Sequence, residues 1–229
     1  MSLWKLTCLA LAWASYMVVA TPPAQPTDYA PSPTGGVARS IFRRLQRYDV
    51  GRLAVNVLVT GVLLAEIAFA SGFIDTGSRP AEALSNSGHI SPLLILGVLS
   101  ATFGATLRLW SYHAMGHHFI FDLTLLKDHE LVTHGPYAYV RHPGYTALVL
   151  NIAGLYACEL SEGSWWTEAC VWDGRLGKCV GIMAIAATMQ LATLILRVPA
   201  EDRMLHEKFG RRWEEWRSKV PYMFIPRVL

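Results

Sequence analysis

The sequence has few charged residues for its length. Of its 229 residues, 16% are charged and 52% are hydrophobic, whereas a soluble globular domain is about one quarter charged. The mean hydropathy is +0.30, so the composition predicts an integral membrane protein. The net charge is only +3, and the basic residues form no long tract with interleaved aromatics. Nucleic acid is therefore not expected as a partner.

Two kinds of motif are also absent. The four cysteines, Cys8, Cys158, Cys170 and Cys179, have neither CxxC nor metal-ligand spacing. The sequence therefore predicts neither a zinc site nor a disulfide scaffold. No GxGxxG turn occurs, which argues against a soluble dinucleotide-binding fold.

Five apolar stretches approach the length of about 20 residues that a helix needs to cross a bilayer. They cover residues 3–20, 53–74, 90–110, 145–160 and 176–196. The sequence therefore predicts an all-α integral membrane protein with about five transmembrane helices. The first stretch also has features of a secretory signal, since Lys5 precedes an apolar run and small residues surround Ala20.

The distribution of Lys and Arg predicts an orientation and decides between these alternatives. If all five stretches span the membrane and the C-terminus is cytoplasmic, sixteen of the twenty basic residues lie on the cytoplasmic side. The other side keeps Lys5, Arg79, Arg175 and Lys178. This bias follows the positive-inside rule. Cleavage after residue 20 would move the basic residues of 39–52 to the lumen, so we interpret residues 3–20 as a retained helix.

Two segments outside these stretches have distinct patterns. Residues 21–33 contain five prolines and predict an extended linker. After the last stretch, five apolar residues recur at helical spacing and predict a C-terminal amphipathic helix at the membrane interface, with Gly210 as its weak point. These residues are Leu205, Phe209, Trp213, Trp216 and Val220.

Several polar residues lie within the apolar stretches. Glu66 is near the middle of the second one, where a charge is costly, so it indicates either a functional group or a structural contact with another helix. Asn56 and Asn151 are expected to join helices through hydrogen bonds. Arg108 is expected to extend its side chain towards the lipid headgroups.

The densest run of reactive side chains lies between the third and fourth stretches. Residues 129–145 read HELVTHGPYAYVRHPGY. Pro143 disfavours helical geometry at His142 and can itself begin the next helix, so Arg141 and His142 are expected on a stiff corner. A helix N-terminus nearby offers free N–H groups to an anion. The alternative is an interfacial turn with Arg and Tyr anchors.

A second polar block, RVPAED at residues 197–202, follows the last apolar stretch. Arg197 and Glu201 are four positions apart and share a face if the helix continues through Pro199. Ionisable residues at this depth usually face a cavity or a partner. The alternative is an arginine that reaches the headgroups beside the acids of a helix start.

Together with FGRRW at 209–213 and VP at 220–221, these blocks occur in an order that resembles the isoprenylcysteine carboxyl methyltransferase family. The resemblance extends over residues 90–229. It implies a protein-S-isoprenylcysteine O-methyltransferase activity, in which S-adenosyl-L-methionine methylates the C-terminal carboxylate of a prenylated cysteine. The RHP element at 141–143 is also similar to membrane methyltransferases that act on phospholipid amines, so a phosphatidylethanolamine-type N-methyltransferase is the alternative.

The resemblance also implies roles for particular residues. Arg197 is implied to be the catalytic and substrate-binding residue, at the substrate carboxylate. The residues implied to bind the cofactor are His129, Glu130, Leu131, Val132, Tyr137, Arg141, His142, Pro143, Gly144 and Glu201. The second acid of the 197–202 block is Asp202, for which no role is implied.

The same resemblance implies how the chain is organised and where it acts. Residues 1–229 are expected to form a single membrane-embedded methyltransferase domain, with N-terminal helices and the proline linker at 1–89 and the catalytic core at 90–229. We expect a multi-pass protein of the endoplasmic reticulum membrane whose active site faces the cytosol. Its partners would be the prenylated C-terminal cysteine of CaaX-type proteins and membrane lipid, with no metal.

Two other classes of protein compete with this interpretation. His113, His117 and His118, with His129 and His134, have spacings similar to those of di-iron membrane desaturases and hydroxylases. Such a site needs about eight histidines, and the chain has eight in all, of which several are remote from these boxes. A non-enzymatic membrane scaffold is the second competitor, and the paired polar blocks argue against it.

Overall fold

The computed structural model describes residues 3–21, 50–71, 73, 89–119, 130–168 and 174–226. All regular elements in these ranges are helical, so the prediction of an all-α protein is confirmed. Most of the predicted proline linker, together with His129 and Cys170, lies outside the described residues. The longer helices are α1 (Leu3–Ala20), α2 (Val50–Ala70), α3 (Pro92–Met115), α4 (Pro143–Glu159), α5 (Arg175–Ile195), α6 (Val198–Phe209) and α7 (Arg211–Lys219). Short helical turns occur at Gly116–His118, Gly135–Ala138 and Trp165–Glu168.

Three described segments are long and apolar enough to cross a membrane: Leu3–Ala20, Pro92–Met115 and Gly177–Phe209. The last of these joins most of α5 to α6. Leu53–Phe69 is a shorter apolar helix, and α4 has 17 residues. Helices therefore occupy all five predicted positions, and three of these positions lie in segments long and apolar enough to cross a membrane. The count of five transmembrane helices stays a prediction.

Helices α3 and α4 run antiparallel and approach each other closely, because small residues line their contact. A Cβ atom added to Gly154 would lie 2.5 Å from the nitrogen of Ala101 and 2.5 Å from the carbonyl oxygen of Gly97. Asn151 donates from Nδ2 to the oxygen of Ala101 at 3.0 Å, which confirms the predicted helix-joining role of this amide. Such close backbone approach is typical of membrane helix pairs.

Helix α1 packs against α2, α3 and α4, with the buried side chains of Leu9, Leu63, Leu94 and Leu155 in the shared core. Tyr16 donates from its phenol to Oδ1 of Asn56 at 2.6 Å. This bond joins α1 to α2 and confirms the predicted role of Asn56.

A buried ion pair closes the end of the bundle where α1 begins and α2 ends. The Nζ atom of Lys5 lies 3.1 Å from Oε1 of Glu66, and both side chains are 1% exposed. Lys5 also donates to the oxygen of Gly163 at 2.6 Å, and Trp165 N–H donates to Oε2 of Glu66 at 2.5 Å. Of the two roles considered for Glu66, the structure supports the structural one.

We expect Lys5→Met to lower the free energy of unfolding by about 3–5 kcal/mol, because Glu66 would stay buried without its cation. The double variant Lys5→Met/Glu66→Gln should recover much of this loss. Thermal unfolding in detergent, followed by tryptophan fluorescence, measures both. Lys178→Met, at an exposed lysine of α5, is the matched control. Equal loss in the single and double variants would contradict the pairing.

The contact of α3 with α4 makes a second prediction. Gly154→Ala should destabilise the protein by about 1–3 kcal/mol, because the added methyl group overlaps backbone atoms of α3 that cannot move separately. Gly61→Ala is the control, since no atom lies within 4 Å of the added Cβ. The same unfolding measurement compares them, and an unchanged midpoint for Gly154→Ala would show that the helices are not in close contact.

Candidate functional site

The predicted stiff corner lies where the 130–142 segment meets α4. Pro143 is the first residue of α4, and His142 before it has φ −126° and ψ 59°, outside the helical region. Gly135 begins the short helical turn Gly135–Ala138 with φ +62°, a conformation that favours glycine. The backbone effect predicted for Pro143 is therefore confirmed.

Arg141 is buried at this corner and binds groups of the chain itself. Its residue exposure is 3%. The Nη1 atom donates to the carbonyl oxygens of Val220 at 3.1 Å and Pro221 at 2.5 Å, and Nη2 donates to Oδ2 of Asp202 at 3.2 Å. One guanidinium thus connects the corner to α6 and to the segment after α7.

Asp202 and Glu201 face His142 from the first turns of α6. The Oδ1 atom of Asp202 lies 2.9 Å from Nε2 of His142, and Oε2 of Glu201 lies 3.7 Å from Nδ1. Tyr145 donates from its phenol to Oε1 of Glu201. The described part of the first polar block, residues 130–145, and the second block, residues 197–202, therefore meet at one end of the helix bundle.

The segment after α7 lies along this corner through backbone bonds. The Arg141 amide donates to the oxygen of Tyr222 and the His142 amide to that of Met223, each at 2.9 Å. Thr146 donates from Oγ1 to the oxygen of Phe224 at 2.8 Å. Residues 220–224 thus cover the corner as a strap.

The predicted apolar face of the C-terminal region packs against the loop of the site. The chain breaks at Gly210, with φ +49°, so two helices, α6 and α7, replace the single predicted one. A cluster centred on buried Trp213 and Trp216 includes all five predicted face residues, with Leu131 and Tyr137 packed on it. Trp216 donates from Nε1 to the oxygen of Tyr137 at 3.1 Å. An interfacial position for these helices stays a prediction.

Tyr137 lies between this cluster and the charged groups. Burial raises the pKa of its phenol, an effect that the Arg108 charge opposes and the Glu201 charge strengthens. The phenol therefore keeps its proton at neutral pH and can donate a hydrogen bond.

Arg108, near the end of α3, binds protein groups instead of extending towards the lipid headgroups, which corrects the expectation from the sequence. Its Nη1 donates to the oxygen of Gly144 at 2.8 Å and its Nε to the phenol of Tyr112 at 2.8 Å. The guanidinium carbon also lies 4.9 Å from the centre of the Tyr112 ring. The spacing of four residues between Arg108 and Tyr112 was a sign of this contact.

Most of the residues implied by the resemblance lie around this end of the bundle. Glu130 is exposed, Leu131 and Val132 are half-buried, and Pro143 is buried. Arg197 is half-buried at the junction of α5 and α6, and it lies close enough to Tyr145 for its positive charge to interact electrostatically with the phenol. His129 is outside the described residues. Their roles towards a cofactor or substrate stay predictions.

Asp202 and Tyr145 lie in the two polar blocks but had no individual role assigned from the sequence, and Arg108 was expected to extend to the headgroups. Asp202 has two polar partners, while only its neighbour Glu201 was singled out. The acidic pair in the sequence could have indicated a role for Asp202, because two consecutive carboxylates at the start of a helix point in different directions. Tyr145 lies in the first turn of α4, and its phenol reaches Glu201 of α6.

No group of three His, Cys, Asp or Glu side chains within the described ranges is placed to hold a metal ion. His113 and His117 are exposed in the region where α3 ends. The described part of the chain therefore offers no support for the di-iron interpretation.

The arrangement can hold a polar ligand that has cationic and hydroxyl groups. Glu201 has a quarter of its side chain exposed, 26%, and offers an anion beside an imidazole and a phenol. Two buried donors, Nε of Arg141 and Nε1 of Trp213, have no hydrogen-bond partner among the described atoms. Buried donors without partners are costly, so a bound acceptor would stabilise them.

Fold and site together define an all-helical protein with apolar, membrane-length helices and a charged cluster at one end. Residues 95–163 match the model of the isoprenylcysteine carboxyl methyltransferase family. The match contains the 129–145 block and ends before the 197–202 block. Over these residues the chain is similar to the isoprenylcysteine carboxyl methyltransferase family.

Named relatives fall into two groups. The "Cobalt-zinc-cadmium resistance protein CzcN" of Cupriavidus metallidurans is 28% identical over 207 residues, which cover 88% of this chain and 74% of that protein. A "Probable protein-S-isoprenylcysteine O-methyltransferase" of Oryza sativa subsp. indica is 26% identical over 128 residues, or 55% of this chain and 57% of the rice protein. The "Nickel-cobalt-cadmium resistance protein NccN" of Alcaligenes xylosoxydans is 28% identical over 89% of this chain and 73% of its own length.

Arg141 makes a testable contribution to the strap. Arg141→Lys should speed the hydrogen exchange of the His142 amide by about tenfold, because a lysine cannot reproduce the fork that holds Val220, Pro221 and Asp202 together. Exchange followed by mass spectrometry of the 139–146 peptide measures this. Arg211→Lys, at a pair with Glu215 whose arginine side chain is 89% exposed, is the control. Unchanged exchange at His142 would refute the role of Arg141 in the strap.

Proposed function

We propose that this protein transfers a methyl group from S-adenosyl-L-methionine to the C-terminal carboxylate of a prenylated cysteine at a membrane surface. The observation that carries the proposal is the meeting of the two polar blocks, through His142–Asp202 and Tyr145–Glu201, in a chain that resembles this family over residues 95–163. Neither block alone distinguishes a site from an interfacial turn.

The residues at this end fit the cofactor. A carboxylate such as Glu201 suits an ammonium or ribose hydroxyls, and the faces of aromatic rings attract a sulfonium cation modestly. The buried Nε of Arg141 needs an acceptor, which the carboxylate of the cofactor offers. Tyr137, Arg141, His142, Gly144 and Glu201 would form the described part of the pocket, with Leu131 as an apolar wall.

The chemistry demands little of the side chains beyond placement. The cofactor supplies a methyl group that is already activated, and the substrate carboxylate is ionised at neutral pH. No general base is required. The chain must align the carboxylate and keep water out, effects worth up to about 7–11 kcal/mol when geometry is good. Arg197 is suited to this task because a guanidinium fork binds a carboxylate through two parallel hydrogen bonds.

The membrane-embedded fold is compatible with a lipid-modified substrate. Large apolar side chains of α3 and α5, among them Leu99, Phe103 and Ile185, are exposed on the protein surface, where lipid tails would contact them. A prenyl chain partitions into the same layer, while its cysteine carboxylate lies at the polar end. We propose that this end faces the cytosol, since Arg108, Arg141 and Arg197 all lie there, and that the membrane is the endoplasmic reticulum.

The alternative substrate, a phospholipid amine, is disfavoured by the cation at position 197. A neutral amine that becomes an ammonium on methylation gains nothing from a nearby guanidinium, because like charges repel. The alternative is retained as an outcome of the assay.

A methyl-transfer assay with labelled S-adenosylmethionine tests the proposal, with N-acetyl farnesylcysteine and phosphatidylethanolamine as competing acceptors. The wild type should label the farnesylcysteine. Arg197→Ala should lower kcat/KM for it on the order of 100-fold, because the carboxylate loses its charged partner. Glu201→Gln should raise the Kd of the cofactor.

Glu215→Gln is the matched control for Glu201→Gln, since Glu215 is a partly exposed acid on α7. It should leave both parameters unchanged. Labelling of phosphatidylethanolamine alone would refute the prenylcysteine substrate. An absence of labelling on both acceptors, with no cofactor binding in calorimetry, would refute methyl transfer altogether.

A further inference from the structure

Asp202 is almost fully buried and binds two residues of the corner at once. Its residue exposure is 8%, and its two oxygens face Arg141 and His142. We propose that Asp202 is a positioning residue that sets the tautomer of His142, so that Nδ1 of His142 and the Glu201 carboxylate together accept hydrogen bonds from a primary ammonium group. This inference rests on the proposed function and assigns the ammonium to the cofactor's amino acid end.

The partners of Asp202 determine which ring nitrogen of His142 carries the hydrogen. Arg141 stays protonated in proteins and can only donate, and its Nη2 lies 3.2 Å from Oδ2. The carboxylate beside it is ionised and can only accept. The Nε2 atom of His142, 2.9 Å from Oδ1, must therefore carry a hydrogen. When one ring nitrogen is fixed in this way, the other is left as the acceptor of a neutral imidazole.

The position of Nδ1 agrees with an acceptor. It lies 3.7 Å from Oε2 of Glu201. A protonated Nδ1 facing a carboxylate would close to about 2.7–2.9 Å, the usual length of a charge-assisted hydrogen bond. The observed distance is longer than such a bond, as expected for two acceptors that face each other. An ammonium group has three N–H bonds and can donate to both.

The ring of His142 also contacts groups other than Asp202. The imidazole centre lies 6.0 Å from the ring of Tyr145 and 6.3 Å from that of Phe224. The backbone amide of His142 is bound to the oxygen of Met223. These contacts fix where the ring lies, and Asp202 decides which nitrogen bears the hydrogen.

Asp202→Asn changes which ring nitrogen of His142 carries the hydrogen, and it preserves the shape of the side chain at position 202. Because Arg141 can only donate, the amide oxygen of the asparagine must face it, and the amide N–H₂ then faces His142. Nε2 becomes the acceptor and the hydrogen moves to Nδ1. The variant thus turns the acceptor that faces Glu201 into a donor, which repels an ammonium.

The first measurement is the tautomer of His142, by ¹⁵N NMR of histidine-labelled full-length protein in detergent at about pH 8, where an ordinary histidine is singly protonated. The spectrum of His142→Gln identifies its resonances. We expect the hydrogen on Nε2 in the wild type and on Nδ1 in Asp202→Asn. A wild-type ring with hydrogen on Nδ1, or on both nitrogens, would overturn the proposal without recourse to any variant of Asp202.

The second measurement is calorimetric binding of S-adenosylmethionine and of its analogue without the α-amino group. Asp202→Asn should weaken binding of S-adenosylmethionine about 10- to 100-fold and leave binding of the deaminated analogue unchanged. A general loss of structure would weaken both. Glu214→Gln, which changes an exposed acid 2.8 Å from His206, is the matched control and should affect neither.

These measurements distinguish a failure of the proposed role of Asp202 from a failure of the proposed function on which it rests. A wild type that binds neither compound overturns the proposed function and the ammonium subsite with it. A wild type that binds S-adenosylmethionine, together with an Asp202→Asn variant that weakens both compounds equally, overturns the role of Asp202 alone.

Discussion

The carboxylate of Asp202 joins the start of α6 to Arg141 and His142, and the polar end of the molecule depends on this contact. Arg141 in turn holds the oxygens of Val220 and Pro221, so that the strap, the corner and α6 are linked through one ionic centre. A buried charge that loses its partner costs several kcal/mol. The three segments are therefore expected to order together, and the positions of His142 and Glu201, which we propose to face the cofactor, depend on that order.

The middle of the bundle supports this centre by a different physical means. Gly97, Gly104 and Gly154 let the backbones of α3 and α4 approach within a distance that excludes any side chain. That approach brings Arg108 to the first turn of α4, where it binds the oxygen of Gly144. At the opposite end, Lys5 and Glu66 close the bundle with a second buried pair. Packing of small residues thus sets the separation of the helices, and paired charges secure both ends.

Much of this arrangement was predictable from the sequence, because its causes are local. Helices occur at all five apolar stretches, and Pro143 makes the predicted corner. Three expectations needed the structure. Arg108 binds Gly144 and Tyr112 instead of extending to the headgroups. Glu66 pairs with Lys5, which the sequence showed only as the residue before the first apolar run. The C-terminal apolar face packs on Tyr137 as two helices. Each involves a partner distant in sequence, namely Gly144, Lys5 or Tyr137, and no local pattern identifies such a partner.

By itself, the sequence determined which segments are helical and which end of the bundle gathers the basic residues, because apolar length, proline geometry and charge bias act over short distances. The tertiary structure alone decided which acid binds which base. Glu201 and Asp202 are adjacent in the chain, and both are carboxylic acids. The turn of α6 directs Glu201 towards Tyr145 and Asp202 into the space between Arg141 and His142. Because of this difference in direction, Glu201 is an acceptor open to a ligand, whereas Asp202 is the acceptor that we propose to orient His142.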